Sequence, residues 1–245
     1  MDYLDWQSKL SLDDVFAGSA SYSYPTFLNS GLDDTRFVSL SKHPEDNRSV
    51  LMLHHIDGDD VTCITPAPYK LQTRVNEYGG KPFWLCGDSG ETSIVFANQG
   101  DQCLYRQTVG ASGLGEIQRI TQAPNEQQRF MYTDVSQLGS QCYLAIVECE
   151  KNGSQLAEGS QLAEGSQSAD GSQSADGSHN QNEMVIATLI PGADGELALL
   201  PSTQIQGADF YSNLVLGPEF IKAGVTTRYV AWVQWNHPNL SLIHI

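Results

Sequence analysis

Hydrophobic residues fall along this chain in short runs, each cut off by residues that reverse a backbone. Tyr22 to Leu28, Arg36 to Leu40, Ser49 to His55 and Val61 to Thr65 are rich in β-branched and aromatic side chains, which suit a pleated, half-buried surface. Asn29-Ser30-Gly31, His43 to Asn47 and Asp57-Gly58-Asp59-Asp60 separate them, and these are turn-forming residues. The pattern predicts a four-stranded antiparallel unit. It recurs through Asn76 to Gly79, Lys81 to Cys86, Thr92 to Ala97 and Cys103 to Gln107, with turns at Asp88-Ser89-Gly90 and Asn98-Gln99-Gly100-Asp101. A third set runs through Phe130 to Asp134, Cys142 to Cys149, Glu183 to Ile190 and Leu197 to Leu200, and a fourth begins at Asp209 to Leu216 and Thr227 to Trp235. Beyond a capped turn expected at Ser11-Leu12-Asp13-Asp14, in the lead-in from Met1 to Ser19, no stretch reads as an amphipathic helix.

The first strands of these sets begin near Tyr22, Asn76, Phe130 and Tyr211, and the first two steps are about 54 residues each, a period that points to propeller blades. The fold class expected is therefore all-β: a partial β-propeller of four-stranded antiparallel blades, about three and a half in this chain. A β-sandwich competes, since short strands with regular turns fit it as well. The third step is longer because it holds an insertion, Gly153 to Ser178, built of the hexapeptide GSQLAE twice and then GSQSAD twice. Gly, Ser and Gln cannot bury enough surface to offset the entropy of ordering. The tract at 153–178 is expected to be a disordered loop at a hairpin tip in the third blade. Its acids are too sparse to collect a metal.

At 245 residues and 40% hydrophobic content, the chain can bury a sizeable core. The net charge of −16 repels phosphate backbones and anionic membrane faces, so neither nucleic acid nor a membrane is expected as a partner. No apolar run reaches the roughly 18 residues that span a bilayer. No basic start with an apolar core marks a signal peptide. The five cysteines, Cys63, Cys86, Cys103, Cys142 and Cys149, are odd in number and form no C-x-x-C pair. They are expected as free thiols in a reducing, cytoplasmic setting.

Several segments invite a chemical reading. Gly87-Asp88-Ser89-Gly90 looks like a serine-protease nucleophile segment, but no histidine upstream lies in a matching context, and Asp-Ser-Gly is ordinary turn chemistry. Gly110 to Gly115 lacks the helix that a phosphate loop must open. No G-x-S-x-G elbow occurs, and no H-E-x-x-H or calcium-loop pattern. No catalytic residue, metal site or cofactor is assigned. Two segments remain: Arg74-Val75-Asn76-Glu77-Tyr78-Gly79-Gly80 and Trp235-Asn236-His237-Pro238-Asn239. Either is a corner lock, with Glu77 accepting backbone amides, Tyr78 packing between blades and the glycines permitting close approach, or it lines a mouth of the propeller.

The residues around these segments resemble a known family. DDVFAGS from Asp13, RSVLM from Arg48, ITPAPYKLQTRVNEYGG from Ile64, VFANQGDQCLYR from Val95, GADFYSNLVLGPE from Gly207 and VAWVQWNHPNL from Val230 occur in an order similar to the N-terminal propeller of prolyl oligopeptidase-family serine peptidases. The acylaminoacyl-peptidase and dipeptidyl-peptidase-like branch is the nearest in pattern. The resemblance implies a propeller of about seven blades that caps an α/β-hydrolase domain and admits short peptides. It implies that this chain is the N-terminal part of that propeller, without the hydrolase domain and its triad. In the family, charged residues at the propeller mouth bind substrate termini. Arg74, Glu77 and Tyr78 are on that account the candidate substrate-binding residues, Glu77 for a free amine and Arg74 for a carbonyl or carboxylate. A non-catalytic propeller scaffold is the alternative. Half a propeller leaves an open edge, so self-association is expected of the chain alone.

Overall fold

A computed structural model describes residues 21–28, 35–58, 60–77, 79–88, 91–110, 113–151 and 182–237. The lead-in, the hexapeptide tract and Tyr78 lie outside the described residues.

Four antiparallel arrays follow one another along the chain. The first joins β1 (Ser23–Phe27), β2 (Arg36–Lys42), β3 (Ser49–His55) and β4 (Val61–Cys63) in chain order. The second joins β5 (Phe83–Asp88), β6 (Glu91–Ala97) and β7 (Leu104–Gly110), and its last strand is broken in two, β8 (Gly113–Leu114) and β9 (Gln118–Arg119), both paired with β7. The third joins β10 (Gln128–Gly139), β11 (Cys142–Lys151), β12 (Glu183–Pro191) and β13 (Leu197–Leu199). In the fourth, β14 (Phe210–Leu216) pairs with β17 (Val230–Trp235), and β15 (Phe220–Lys222) forms a separate hairpin with β16 (Val225–Thr227). Among the described residues there is no α-helix, and so none long and apolar enough to cross a membrane. All five cysteines are unbridged thiols.

One expected strand is not a strand. Asn76 and Glu77 lie in a turn, and the first strand of the second array starts at Phe83. Two consecutive left-handed residues, Asn76 (φ 57°) and Glu77 (φ 61°), rule out an extended ladder there. The even spacing of first strands therefore does not hold, although the strand sets do.

Period-two alternation decides between propeller and sandwich. On β5 and β6, Phe83, Ile94 and Phe96 face the first array, packing with Val38, Leu51, Ile64 and Leu71. The intervening Trp84, Cys86, Val95 and Ala97 face the third array, packing with Tyr132, Tyr143, Ala145 and Val147. On β11 the same alternation sends Leu144 and Ile146 toward Tyr211 and Leu214 of the fourth array. A sandwich sheet buries one face and solvates the other, whereas here the second and third sheets bury both. The molecule is a stack of propeller blades, each central one held on two sides, and each fully buried large side chain contributes about 1.5–3 kcal/mol.

The connections between blades repeat too. Ile64-Thr65 and Ile120-Thr121 occupy equivalent places after the first and second blades. The Leu51 amide donates to Thr65 Oγ1 at 3.1 Å, and the Leu104 amide donates to Thr121 Oγ1 at 2.9 Å. In each pair the isoleucine amide returns to the same strand residue: Ile64 N to Leu51 O, and Ile120 N to Leu104 O, both 2.9 Å.

Candidate functional site

The first strands of neighbouring blades lie side by side, β5 against β10 and β10 against β14. Three of the first strands bend there. β1, β10 and β14 each break register, around Tyr24 (φ 55°), Asp134 (φ 50°) and Asn213 (φ 52°). Such bulges re-aim side chains where a sheet meets a site or a rim. A polar chain follows the bulges across all four blades. Lys81 Nζ donates to Thr26 Oγ1 of the first blade at 3.2 Å, with its ammonium 4.7 Å from the centre of the Phe83 ring. Asp134 of the third blade attracts Lys81 through space, and its Oδ2 accepts the Leu214 amide of the fourth at 3.1 Å. Burial lowers the pKa of Lys81 and raises that of Asp134, and in each case the other's charge opposes the shift.

The turn that the sequence singles out leads into this row. It leaves the first blade and reaches past the second. Leu71 N donates to Ser49 O at 2.8 Å, and Gln72 N to Ala97 O at 3.1 Å. Thr73 Oγ1 donates to Tyr132 O at 2.7 Å on the third blade. Gln102, fully buried and left-handed (φ 60°), accepts the Arg74 amide at 2.8 Å through Oε1. Val75 is buried in the core between the third and fourth blades. The Asn76 amide donates to Glu148 Oε2 at 2.7 Å, and Asn76 Nδ2 approaches Tyr211 O at 3.5 Å. Two internal bonds close the turn: Glu77 N to Arg74 O at 2.9 Å, and Gly79 N to Val75 O at 3.0 Å.

A short left-handed stretch of this kind is held only where the surroundings over-determine it, and such strain gathers at functional sites. Its result here is that Arg74 and Glu77 stand exposed, while Thr73 and Val75 between and before them are buried. Among the described residues Arg74 and Glu77 are not ion-paired to each other, so both charges face solvent.

The expected corner lock is real but made differently. Glu148 of β11, not Glu77, is the carboxylate that accepts a turn amide. It is 4% exposed, and its second oxygen accepts Asn182 Nδ2 at 2.6 Å. Burial raises its pKa, the two hydrogen bonds lower it, and the negative charges of Glu150 and Glu77 raise it further. Sequence reasoning missed this residue because an acid that closes an apolar run, as in Ala145-Ile146-Val147-Glu148, reads as solvent-facing, whereas β11 continues to Lys151. The glycines divide. Gly79 (φ +75°) does permit close approach, since a Cβ there would lie 2.5 Å from Thr73 O, whereas one on Gly80 would meet only Thr133 Oγ1 at 3.7 Å. Tyr78 is among the residues not described.

The second segment closes a ladder. Asn236 Oδ1 accepts the Asp209 amide at 2.7 Å, and Asp209 Oδ2 accepts the His237 amide at 2.8 Å and faces its Nδ1 at 3.1 Å. Phe210 stacks on Trp235 and leans on His237. These contacts tie the open end of β14 to that of β17, which is the corner-lock arrangement. Among the described residues no group of three or more His, Cys, Asp or Glu side chains is placed to hold a metal ion.

Blades of four antiparallel strands, stacked through both faces with their first strands converging, define part of a β-propeller. No family model matches the chain, and no curated protein does. Solved structures do. A puromycin-hydrolyzing peptidase of Mycobacterium tuberculosis superposes with a TM-score of 0.63 at 23% identity, over 97% of this chain and 31% of its own. A puromycin hydrolase, solved alone and as a mutant complexed with PGG, superposes with a TM-score of 0.62 at 19% identity, over 95% of this chain and 30% of its own. At these identities the likeness is one of fold, and this chain spans under a third of the length of the peptidases it matches.

Proposed function

We propose that this chain is the propeller portion of a serine peptidase of the prolyl oligopeptidase family, and that it gates and positions short peptides for a hydrolase domain. The superposition of nearly the whole chain on puromycin-hydrolysing peptidases carries this reading. In it, the pinned turn offers Glu77 to a peptide's free amine and Arg74 to a carbonyl or carboxylate, both as charge-assisted hydrogen bonds. Five unbridged thiols suit a reducing, cytoplasmic setting. No residue of this chain is assigned a catalytic role, and no cofactor is invoked.

The test is made in the full-length peptidase. Glu77→Gln is expected to raise KM for free-amine peptides by about tenfold, with kcat little changed, because a binding contact rather than a transition-state contact is removed. N-acylated peptides should be unaffected. An unchanged KM with a lowered melting temperature would assign Glu77 to holding the turn alone.

A further inference from the structure

The exposed Glu77 carboxylate sits one residue beyond an amide that is tied to a different blade. That tie is the 2.7 Å bond from Asn76 N to Glu148 Oε2, and Asn182 Nδ2 steadies the other oxygen at 2.6 Å. Asn76 and Glu77 are both left-handed. A glutamate pays for that conformation in steric strain against its own Cβ, so something outside it must hold the turn. The internal bonds from Glu77 N and Gly79 N belong to the turn itself and move with it. Among the described residues, Glu148 is the one acidic side chain that bonds the turn's backbone.

We propose that Glu148 is a positioning residue: through the Asn76 amide it fixes the left-handed pair Asn76–Glu77, and so sets where the Glu77 carboxylate meets a peptide's amino terminus. Glu148 does not itself touch the peptide, because it is buried beneath the turn. The peptide part of this inference rests on the substrate reading above. Its geometric part does not. Two neighbours make the arrangement selective. Val75, 1% exposed, is locked into the core between the third and fourth blades, so the turn cannot slide. The negative charge of Glu77 adds, as the smallest of several influences, to the raising of the Glu148 pKa. A bound ammonium would offset that charge, whereas an acylated terminus would not.

The experiment uses the full-length peptidase, with trialanine and N-acetyl-trialanine as probes and binding read as their inhibition constants against hydrolysis of a chromogenic peptide. The wild type should prefer trialanine, and Glu77→Gln should abolish the preference. Glu148→Leu keeps side-chain volume but offers no acceptor. It should weaken trialanine about tenfold and leave N-acetyl-trialanine unchanged, as loss of one charge-assisted contact predicts. Glu148→Gln, which still presents an oxygen to Asn76, should retain most of the preference. A purely structural glutamate would weaken both probes alike. Equal preference in Glu148→Leu and wild type overturns the proposal. No preference in the wild type overturns the substrate reading and the peptide part with it. Hydrogen exchange in the wild type tests the geometric part without any variant: the Asn76 amide should be as protected as those of β11, and rapid exchange there overturns the tie to Glu148.

Discussion

At the scale of single residues, the turn from Thr73 to Gly80 shows how backbone conformation limits sequence. Asn76 belongs to the residue types that enter the left-handed region most readily, and its Nδ2 approaches Tyr211 O at 3.5 Å, while Glu77 has no such relief and costs about 1–2 kcal/mol there. The bonds from Asn76 N to Glu148 and from Arg74 N to Gln102 offset that cost. Gly79 admits no substitute. A Cβ at φ +75° would press on Thr73 O at 2.5 Å, and the opposing atom is backbone that is itself tied to the third blade through Thr73 Oγ1. Gly79→Ala is expected to destabilise by about 2 kcal/mol or more, from strain and clash together, read as a lowered urea midpoint. Gly80→Ala, whose Cβ has room, is the control and should stay within about 0.5 kcal/mol of wild type. Equal midpoints for the two variants would remove the close approach from the account.

At the scale of elements, strands were legible because their apolar runs and turn residues are local signals. β2, β3, β6, β11 and β12 fall where β-branched and aromatic residues gather. The error at Asn76 to Gly79 has a physical cause. Tyr, Asn and Gly beside an apolar stretch suit a strand end and a turn equally, and the turn won through partners distant in sequence, Glu148 and Gln102. A repeat was present, but its clearest mark is the Ile-Thr pair in the linkers rather than any strand start. That role predicts an effect. Thr121→Val is close in shape and leaves the Leu104 amide without its acceptor, so it should cost about 1–3 kcal/mol in chemical denaturation. A change of a few tenths would mean that the hydroxyl is replaceable by water. Thr121 is 0% exposed, which argues against that outcome.

At the scale of the whole molecule, the last array is unlike the central ones. Val215 and Val233, on the paired strands β14 and β17, are 59% and 50% exposed, and Ile221 and Val225 of the adjoining hairpin and Tyr229 just before β17 are exposed as well. Central blades bury both faces, so this apolar surface is of the kind that recruits a partner. The net charge of −16 opposes contact between copies, and salt screens that repulsion. The chain is therefore expected to self-associate in sedimentation, more strongly as salt rises, and Val215→Lys with Val233→Lys should reduce it. A monodisperse monomer at every salt concentration would count against this. Local signals in the sequence set the all-β class, most of the strand sets and the blade-like repeat, because alternation and turn chemistry act over a few residues. The stacking of the blades settled that two sheets are buried on both faces, that Lys81 and Asp134 lie along one polar row, and that the Asn76 amide meets Glu148. Each of those joins residues tens of positions apart, and such contacts depend on how blades stack rather than on what any one segment prefers.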